Sequence, residues 1–302
     1  MTAAAPQRNE PERATLTAAD FAIIAELAMR DFGLYLTPAK RELVYSRLLK
    51  RLNHTGFDQF HDYCHFVQTP GGAEERQAML SALTTNVTHF FREGHHFTLL
   101  RDKVLPTLID AARKGGKVRL WSAACSAGQE PYSLAFTVLD LCPEAARLNL
   151  RILATDVDPQ ILQRAQAGIY PMEELKAIPE PARRHIEMQD AKSFGIGPKA
   201  RELITFGNLN LIEAWPVKGP FDVIFCRNVA IYFDKPTQSR LWARFADLLN
   251  PGGHLCIGHS ERVAGPAEHK LRTAGVTAYR RLTALETPAA ILPMTQPEGK
   301  RS

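Results

Sequence analysis

Short apolar segments, each followed by a helical pattern, recur through the second half of the chain, and this alternation limits the possible folds more than any other feature. The first apolar segment runs from Val118 to Ala124, and helical periodicity begins again at Pro131. Further strands are predicted over 150–154, 221–226, 254–258 and 277–281, with helices over 131–140, 159–167 and 237–249. Strands that alternate with helices form a parallel sheet covered on both faces, so the pattern predicts a doubly wound α/β sheet with 277–281 as its final edge strand.

The N-terminal part of the chain shows helical periodicity without intervening strands. Thr17 has the character of a helix cap and Gly33 of a helix end, and Pro38 fits the first turn of a second helix. Two more helices are predicted over 57–67 and 74–83. We therefore predict a helical domain over 16–85 and an α/β domain over 86–285, with disordered ends over 1–15 and 286–302.

The alternation of strands and helices lapses between residues 170 and 209. The segment from Phe194 to Pro198 has the composition of a turn, and short segments on either side of it are able to pair as a hairpin. We therefore predict a small inserted β subdomain over about 170–209.

Composition narrows the class of protein and its compartment. The chain has 302 residues, of which 45% are hydrophobic, and it contains no apolar run near the roughly 20 residues that a membrane span needs. Its first 16 residues lack the apolar core of a signal peptide, and its five cysteines are dispersed without a CxxC pair. These features predict an intracellular protein with reduced thiols and without membrane insertion.

Charge and histidine content suggest neither nucleic acid nor a metal as a partner. The formal charge of +5 favours an acidic partner, but there is no lysine-rich tail or RGG repeat, so nucleic acid is not expected. His61, Cys64 and His65 lie within one helical turn, and no second ligand pair accompanies them. We therefore expect no metal and interpret these histidines as helix-surface residues.

The loop after the first predicted strand has the small residues of a ligand-binding turn. It runs from Ala123 to Pro131, and the helix that follows offers unpaired N–H groups. A dinucleotide site would have a GxGxxG pattern here, whereas this loop has the single glycine Gly128 and ends in Glu130, which would repel phosphates. A ligand with a cationic end fits better, although an ordinary strand–helix turn fits the loop equally well.

Asp156 favours a nucleoside among the possible ligands. It stands at the carboxyl end of the second predicted strand, where an acid accepts the hydroxyls of a ribose in folds of this class. Its alternative role is to cap the next helix, which Asp158 is able to do by itself. A small-residue loop combined with this acid predicts a nucleoside-bearing ligand, and an adenosyl sulfonium satisfies both features.

Five segments of the chain resemble the chemotaxis receptor methyltransferases, the CheR family. They read TTNVTHFFRE at 84–93, ACSAGQEPYS at 124–133, TDVD at 155–158, FDVIFCRNVAIYFD at 221–234 and GHSE at 258–261. The similarity continues in order from about residue 16 to residue 282. The loop from Cys125 to Gln129 departs from the Ser/Thr-Gly-Glu-Glu pattern often seen in relatives and has one acid fewer.

This resemblance implies a fold, an activity and a set of site residues. The fold would be a Rossmann-like S-adenosylmethionine methyltransferase sheet with an all-helical N-terminal domain and a small β insertion. The activity would be methyl transfer from S-adenosylmethionine to glutamate side chains of chemotaxis receptors, giving glutamate methyl esters and S-adenosylhomocysteine. The residues implied to contact the cofactor are Asn86, Thr88, Arg92, Glu130, Asp156, Asn210, Leu211, Arg227 and Asn228.

The implied partners are the cytoplasmic helices of chemotaxis receptors, which would recruit a cytoplasmic enzyme to membrane receptor arrays. A receptor C-terminal tail peptide is a possible second ligand, at the β insertion. The helix after Pro38 carries four basic residues in one sector and its apolar residues in another, and we expect the basic sector to be exposed and to bind acidic receptor helices. They are Lys40, Arg47, Lys50 and Arg51. A face that only interacts with solvent is the alternative.

The implied chemistry needs few catalytic groups. A glutamate carboxylate, with a reference pKa of about 4.3, is already ionised at neutral pH, so no general base is required and positioning is the main contribution. Arg92 and Tyr232 are the candidates for arranging the reacting groups, against the alternatives of a surface arginine on a linker helix and a half-buried core tyrosine.

Two other functions are compatible with the residues. One is a methyltransferase for RNA or a small molecule, although the chain lacks the Asn/Asp-Pro-Pro-Tyr motif typical of enzymes that methylate amines. The other is a catalytically inactive module that binds adenosylmethionine and docks to receptors. The presence of both Arg92 and Asn228 favours an active enzyme over this module.

Overall fold

The structure is a computed structural model, and it describes residues 14–84 and 87–286. Most of the two segments predicted to be disordered, namely 1–13 and 287–302, lie outside the described residues, as does the predicted cofactor residue Asn86.

The N-terminal part is a packed group of four helices. They are α1 (Ala18–Phe32), α2 (Arg41–Thr55), α3 (Phe60–Gln68) and α4 (Ala73–Leu83), with a 3₁₀ turn at Pro38–Lys40 before α2. The predicted ends of α1 are confirmed, because the Thr17 side chain accepts a hydrogen bond from the Asp20 N–H and Gly33 ends the helix in the left-handed conformation. Buried side chains from all four helices, including Leu48 and Tyr63, form a core of their own.

A seven-stranded sheet forms the centre of the remaining chain. Its strands are β1 (Val118–Ala123), β2 (Leu150–Asp156), β6 (Ile204–Asn208), β7 (Phe221–Cys226), β8 (Leu249–Ile257), β9 (Leu271–Gly275) and β10 (Ala278–Arg281), in the order β6-β2-β1-β7-β8-β10-β9. The pairs from β6 to β8 are parallel, whereas β10 is antiparallel to both of its neighbours. The predicted α/β class is therefore confirmed.

Helices and a second sheet cover the central sheet. The helices are α5 (His95–Leu99), which continues through a π-helical stretch at Leu100–Val104 into α6 (Leu105–Arg113), then α7 (Gln129–Leu141), α8 (Pro159–Ala167), α9 (Pro198–Glu202) and α10 (Lys235–Leu248). Successive residues of β1 belong to different cores, with Leu120 packed alongside α6 and α7 and Trp121 alongside α10. This alternation is what a strand buried on both faces requires.

The final strand is not the edge of the sheet, so that prediction is wrong. β10 lies between β8 and β9, and β9 forms the edge. The sequence of β9 did not predict a strand because its middle residues, Arg272 and Thr273, are exposed and polar. An edge strand that is solvated on one side lacks the apolar run by which the other strands were identified.

The inserted sheet is real, but its hairpin differs from the predicted one. Its strands are β3 (Ile169–Pro171), β4 (Ile186–Met188) and β5 (Ser193–Ile196), in the order β3-β5-β4. The segment interpreted as a turn contains most of β5, the central strand, because Phe194 and Ile196 bury their side chains in the core. Within the range predicted for the insertion, β6 already pairs with β2 of the main sheet.

Candidate active site

A cavity of about 230 Å³ opens at the carboxyl ends of β1, β2 and β7. This is the edge at which open α/β sheets bind their ligands. Nine predicted residues line it, namely Thr88, Arg92, Glu130, Asp156, Asn210, Leu211, Arg227, Asn228 and Tyr232. The helical part contributes Phe32, Leu34 and Thr84 to the same cavity. These three were not assigned to the site: nothing local distinguishes Phe32 and Leu34 from other core residues, whereas Thr84 opens the family-like segment at 84–93, which was the available signal.

The loop after β1 has an unusual backbone, which Asp156 holds in place. Ala124 and Ser126 have positive φ angles of 66° and 50°, a left-handed conformation that costs a non-glycine residue about 1–2 kcal/mol. The Asp156 carboxylate accepts the Ser126 N–H at 2.8 Å and the Asp158 N–H at 3.1 Å. Asp156 therefore connects the loop after β1 to the loop after β2, both of which line the cavity.

Asp158 caps the next helix, and the sequence anticipated this division of roles. Its side chain accepts the N–H groups of Gln160 and Ile161 at the start of α8, and it also bonds to the Ser81 hydroxyl of α4. Asp156 is therefore not needed as a cap. Burial raises the pKa of the Asp156 carboxyl, and the backbone N–H groups that it accepts oppose this rise.

Glu130 does not present a free carboxylate to the cavity. One of its oxygens accepts the Ser122 hydroxyl at 2.7 Å, and the other pairs with Arg227 Nε at 2.7 Å. The Arg227 guanidinium also donates to the Arg92 carbonyl. Because its carboxylate is paired with Arg227, Glu130 is not the free anion that the argument against phosphates assumed.

The segment that carries Arg92 is not helical. Phe91 and Glu93, on either side of it, have φ angles of 52° and 55°, and Arg92 Nη1 donates to the Val87 carbonyl at 2.9 Å. Arg92 lines the cavity, whereas the Glu93 carboxylate faces Arg227, whose Nη1 lies 3.7 Å from Glu93 Oε2. The linker-helix interpretation of Arg92 is therefore wrong.

The loop after β7 is held by the Glu261 carboxylate, to which the sequence analysis assigned no role. Asn228 has a φ of 60°, and Glu261 Oε2 accepts its N–H at 3.1 Å and the Gly258 N–H at 2.6 Å. Glu261 Oε1 accepts the Ala230 N–H at 2.8 Å. Gly258 and Glu261 belong to a segment that resembles the family, which was the available signal.

Two predicted cavity residues have polar groups already engaged. The Asn210 side-chain amide donates to the Asp31 carbonyl at 2.7 Å and to Glu213 at 2.9 Å, so it joins the cavity wall to the end of α1. The backbone carbonyl of Tyr232 accepts the Tyr35 N–H at 2.8 Å. Both contacts connect the helical part to the cavity.

Two clusters in the described part of the chain contain metal-binding residue types. The ligand atoms of Glu93, His95 and His96 lie within 4.8 Å of one another. Arg227 Nη1 lies 3.4 Å from His96 Nδ1. The positive charge of this guanidinium would repel a metal cation at the cluster. At the other cluster, Cys64 is buried whereas His61 and His65 are exposed, so the three side chains do not converge.

The basic sector, from Lys40 before α2 to Arg51 in its second half, is only partly exposed, so the expectation that the whole sector is exposed is wrong. Arg51 makes a bidentate ion pair with Glu75 of α4, and Arg47 donates to the Leu83 carbonyl. Lys40 donates to the Tyr35 carbonyl at 3.1 Å, and Lys50 is exposed. The two arginines lie against α4 and hold the helical part together, because their long side chains reach its polar groups.

No described helix combines the length and the apolar character that crossing a membrane would require.

Comparisons with known proteins extend over most of the chain. Residues 86–280 match the family described as the CheR methyltransferase SAM-binding domain, and residues 19–84 match the CheR methyltransferase all-alpha domain. A probable chemotaxis protein methyltransferase of Rhizobium etli is 52% identical over 257 residues, which are 84% of this chain and 96% of that protein. The chemotaxis protein methyltransferase of Escherichia coli is 40% identical over 273 residues, 89% of this chain and 92% of that protein. The chain therefore belongs to the CheR family and is an S-adenosylmethionine-dependent chemotaxis methyltransferase.

Proposed function

We propose that this methyltransferase esterifies glutamate side chains on the cytoplasmic helices of chemotaxis receptors. The observation that carries this proposal is one cavity that combines the Asp156 carboxylate with the Arg92 guanidinium. The first group suits a ribose and the second suits a carboxylate. The names of the relatives, which are chemotaxis methyltransferases, support the same assignment.

The cavity residues fit S-adenosylmethionine. Each Asp156 oxygen accepts one backbone N–H and retains acceptor capacity for a ribose hydroxyl. Phe32, Leu34, Leu209 and Leu211 supply apolar wall for a flat base. The bound cofactor supplies an electrophilic methyl group and its own leaving group.

The residues of the chain are then needed to position an acceptor that is already an anion. Arg92 can hold a carboxylate through its planar fork, either that of the cofactor or that of the incoming glutamate. The Glu130–Arg227 pair holds the Arg92 backbone through the Arg92 carbonyl. Tyr232 lines the same cavity and is the second candidate for orienting the acceptor. Accurate positioning of this kind is worth up to about 7–11 kcal/mol of the barrier.

Receptor contacts away from the cavity are proposed at two places. Lys50 is exposed and Lys40 is half-buried, and these two lysines of the basic sector would steer an acidic helix toward the enzyme. The small sheet ends in the edge strands β3 and β4, which carry the exposed side chains of Ile169 and Met188. An extended receptor tail could add to such an edge through backbone hydrogen bonds.

Radiolabelled methyl transfer to receptor cytoplasmic fragments, followed by alkali, tests the acceptor. Carboxyl methyl esters release volatile methanol in alkali, whereas N-methyl groups and 2′-O-methyl ethers do not. We expect alkali-labile label on fragments with glutamates at the acceptor positions and none on matched fragments with alanines there. Alkali-stable label would instead support an RNA-type or amine methyltransferase, and cofactor binding without transfer would support a non-catalytic module.

A further inference from the structure

Three large apolar side chains are exposed around the mouth of the cavity. Val87 is 72% exposed, Tyr35 49% and Ile231 45%, and they come from the segment before Arg92, the loop after α1 and the loop after β7. Val87 and Ile231 line the cavity directly. Tyr35 adjoins it, because its N–H donates to the carbonyl of Tyr232 at 2.8 Å. We refer to Tyr35, Val87 and Ile231 as the mouth rim.

Two cationic side chains form hydrogen bonds with backbone carbonyls of this rim. Arg92 Nη1 donates to the Val87 carbonyl at 2.9 Å, and Lys40 Nζ donates to the Tyr35 carbonyl at 3.1 Å. Glu93 follows Arg92, but its carboxylate turns toward His259 and Arg227 and is only 11% exposed. The rim therefore presents apolar side chains with positive charges beside them.

A group of exposed apolar side chains of this kind is typical of a surface that a partner covers. Isolated exposed apolar residues are normal on proteins, but three from separate segments around one cavity form a group that suits an interface. Aromatic and aliphatic anchors flanked by cations match a segment with apolar and acidic side chains together. The methyl acceptor must pass this rim to reach the cavity.

We propose that the mouth rim is the docking surface for the receptor segment that surrounds the acceptor glutamate. The apolar side chains of this segment contact Val87, Ile231 and Tyr35, and its neighbouring carboxylates face Lys40 and Arg92. This inference rests on the proposed function, because it takes a receptor as the occupant. It differs from docking on the exposed face of α2 in placing the main contact at the cavity itself.

The test separates receptor binding from cofactor binding. The double variant Val87→Ser with Ile231→Ser should raise the KM for a receptor cytoplasmic fragment about tenfold, a larger factor than any change in the Kd for S-adenosylhomocysteine. The pair Val87→Ile with Ile231→Val keeps the apolar surface and should keep the KM near that of the wild type. Lys40→Glu should also raise the KM, and more strongly at low salt.

Val276→Ser is the matched control, because Val276 is 69% exposed and comes from the turn between β9 and β10. It should leave both constants unchanged. A double serine variant with a wild-type KM would overturn the docking surface while leaving the proposed function intact. A wild-type enzyme that methylates no receptor fragment would overturn both.

Discussion

The Asp156 carboxylate stabilises the backbone of the loops around the cavity, in addition to its proposed role in binding a ligand. It holds a left-handed Ser126 by one backbone N–H and the start of the α8 cap by another. Glu261 does the same for Asn228 and Gly258, at the end of another strand. At both places a half-buried or buried carboxylate fixes a loop that lines the cavity, so cavity shape depends on a few charged hydrogen bonds. Such bonds contribute about 1.5–3 kcal/mol each.

Asp156→Ala should remove most cofactor affinity. Losing a charged acceptor should cost about 1.5–3 kcal/mol, which is roughly ten- to more than a hundredfold in Kd by calorimetric titration. Asp222→Ala is the control, because Asp222 also accepts a backbone N–H, from Arg119 at 2.8 Å, but lies at the start of β7. Equal binding by the wild type and Asp156→Ala would refute the ribose assignment.

Glu261→Gln should weaken cofactor binding although Glu261 does not line the cavity. Three backbone N–H groups surround its carboxylate, and an amide NH₂ would face at least one of them as a second donor. We expect about a tenfold rise in cofactor Kd, with kcat falling more than the KM for receptor changes. Glu268→Gln changes an exposed carboxylate that accepts only the Gly265 N–H, and should be neutral. If Glu261→Gln lowers the free energy of unfolding but leaves cofactor Kd and kcat unchanged, Glu261 contributes to folding and not to cofactor binding.

At the scale of elements, the helices of the N-terminal part are joined by polar contacts as well as by their apolar core. Glu75 of α4 accepts Arg51 Nε of α2 at 2.9 Å and the Tyr63 hydroxyl of α3 at 2.7 Å. Burial raises the pKa of Tyr63, so its hydroxyl remains a donor at neutral pH. Arg51 is therefore a structural residue, and reversing its charge would not be a clean test of receptor docking.

Arg51→Glu should destabilise the protein, whereas Lys50→Glu should not. The first change leaves Glu75 facing a second carboxylate in a partly buried site, which we expect to cost about 1–3 kcal/mol in the free energy of unfolding by urea. The second changes an exposed residue on the same helix and should stay within about 0.5 kcal/mol. Equal unfolding midpoints for the two variants would show that the Arg51–Glu75 pair contributes nothing.

At the scale of the whole molecule, the helical part forms one wall of the cavity. Phe32 and Leu34 line it, and hydrogen bonds from Asn210 to Asp31 and from Tyr35 to Tyr232 join the two parts beside them. A ligand in the cavity would therefore contact both parts of the chain. Binding energy should then stabilise them together and not the central sheet alone.

Hydrogen exchange can measure this coupling. With S-adenosylhomocysteine at about one hundred times its Kd, the free energy of unfolding should rise by about 2.7 kcal/mol. Amide protection should increase around Phe32–Leu34 as well as in the loops after β1 and β2. The control segment is α9, which lies outside the cavity lining, and its amides that exchange by local opening should be unaffected. Protection restricted to the sheet loops would show that the helical wall does not contact the ligand.

The sequence by itself determined the features that depend on neighbours along the chain. Apolar runs followed by helical periodicity predicted β1, β2 and β7, and the caps at Thr17 and Asp158 were identified because capping is a contact over two or three residues. The resemblance to the family also indicated nine of the residues that line the cavity, and some of these, such as Asp156 and Arg227, stand at or just after the ends of strands that the sequence predicted.

Only the tertiary structure decided which of these side chains were already engaged. The ion pair of Glu130 with Arg227 joins residues far apart in the chain, and so does the Arg51–Glu75 pair. Long-range contacts also place Phe32 and Leu34 in the cavity wall. β9 and β5 were likewise recognisable only through their partners, since a short strand gains its stability from pairing and burial supplied by distant segments. The local pattern determines which secondary structure a segment can form. Long-range contacts determine which of its polar side chains remain available to a ligand.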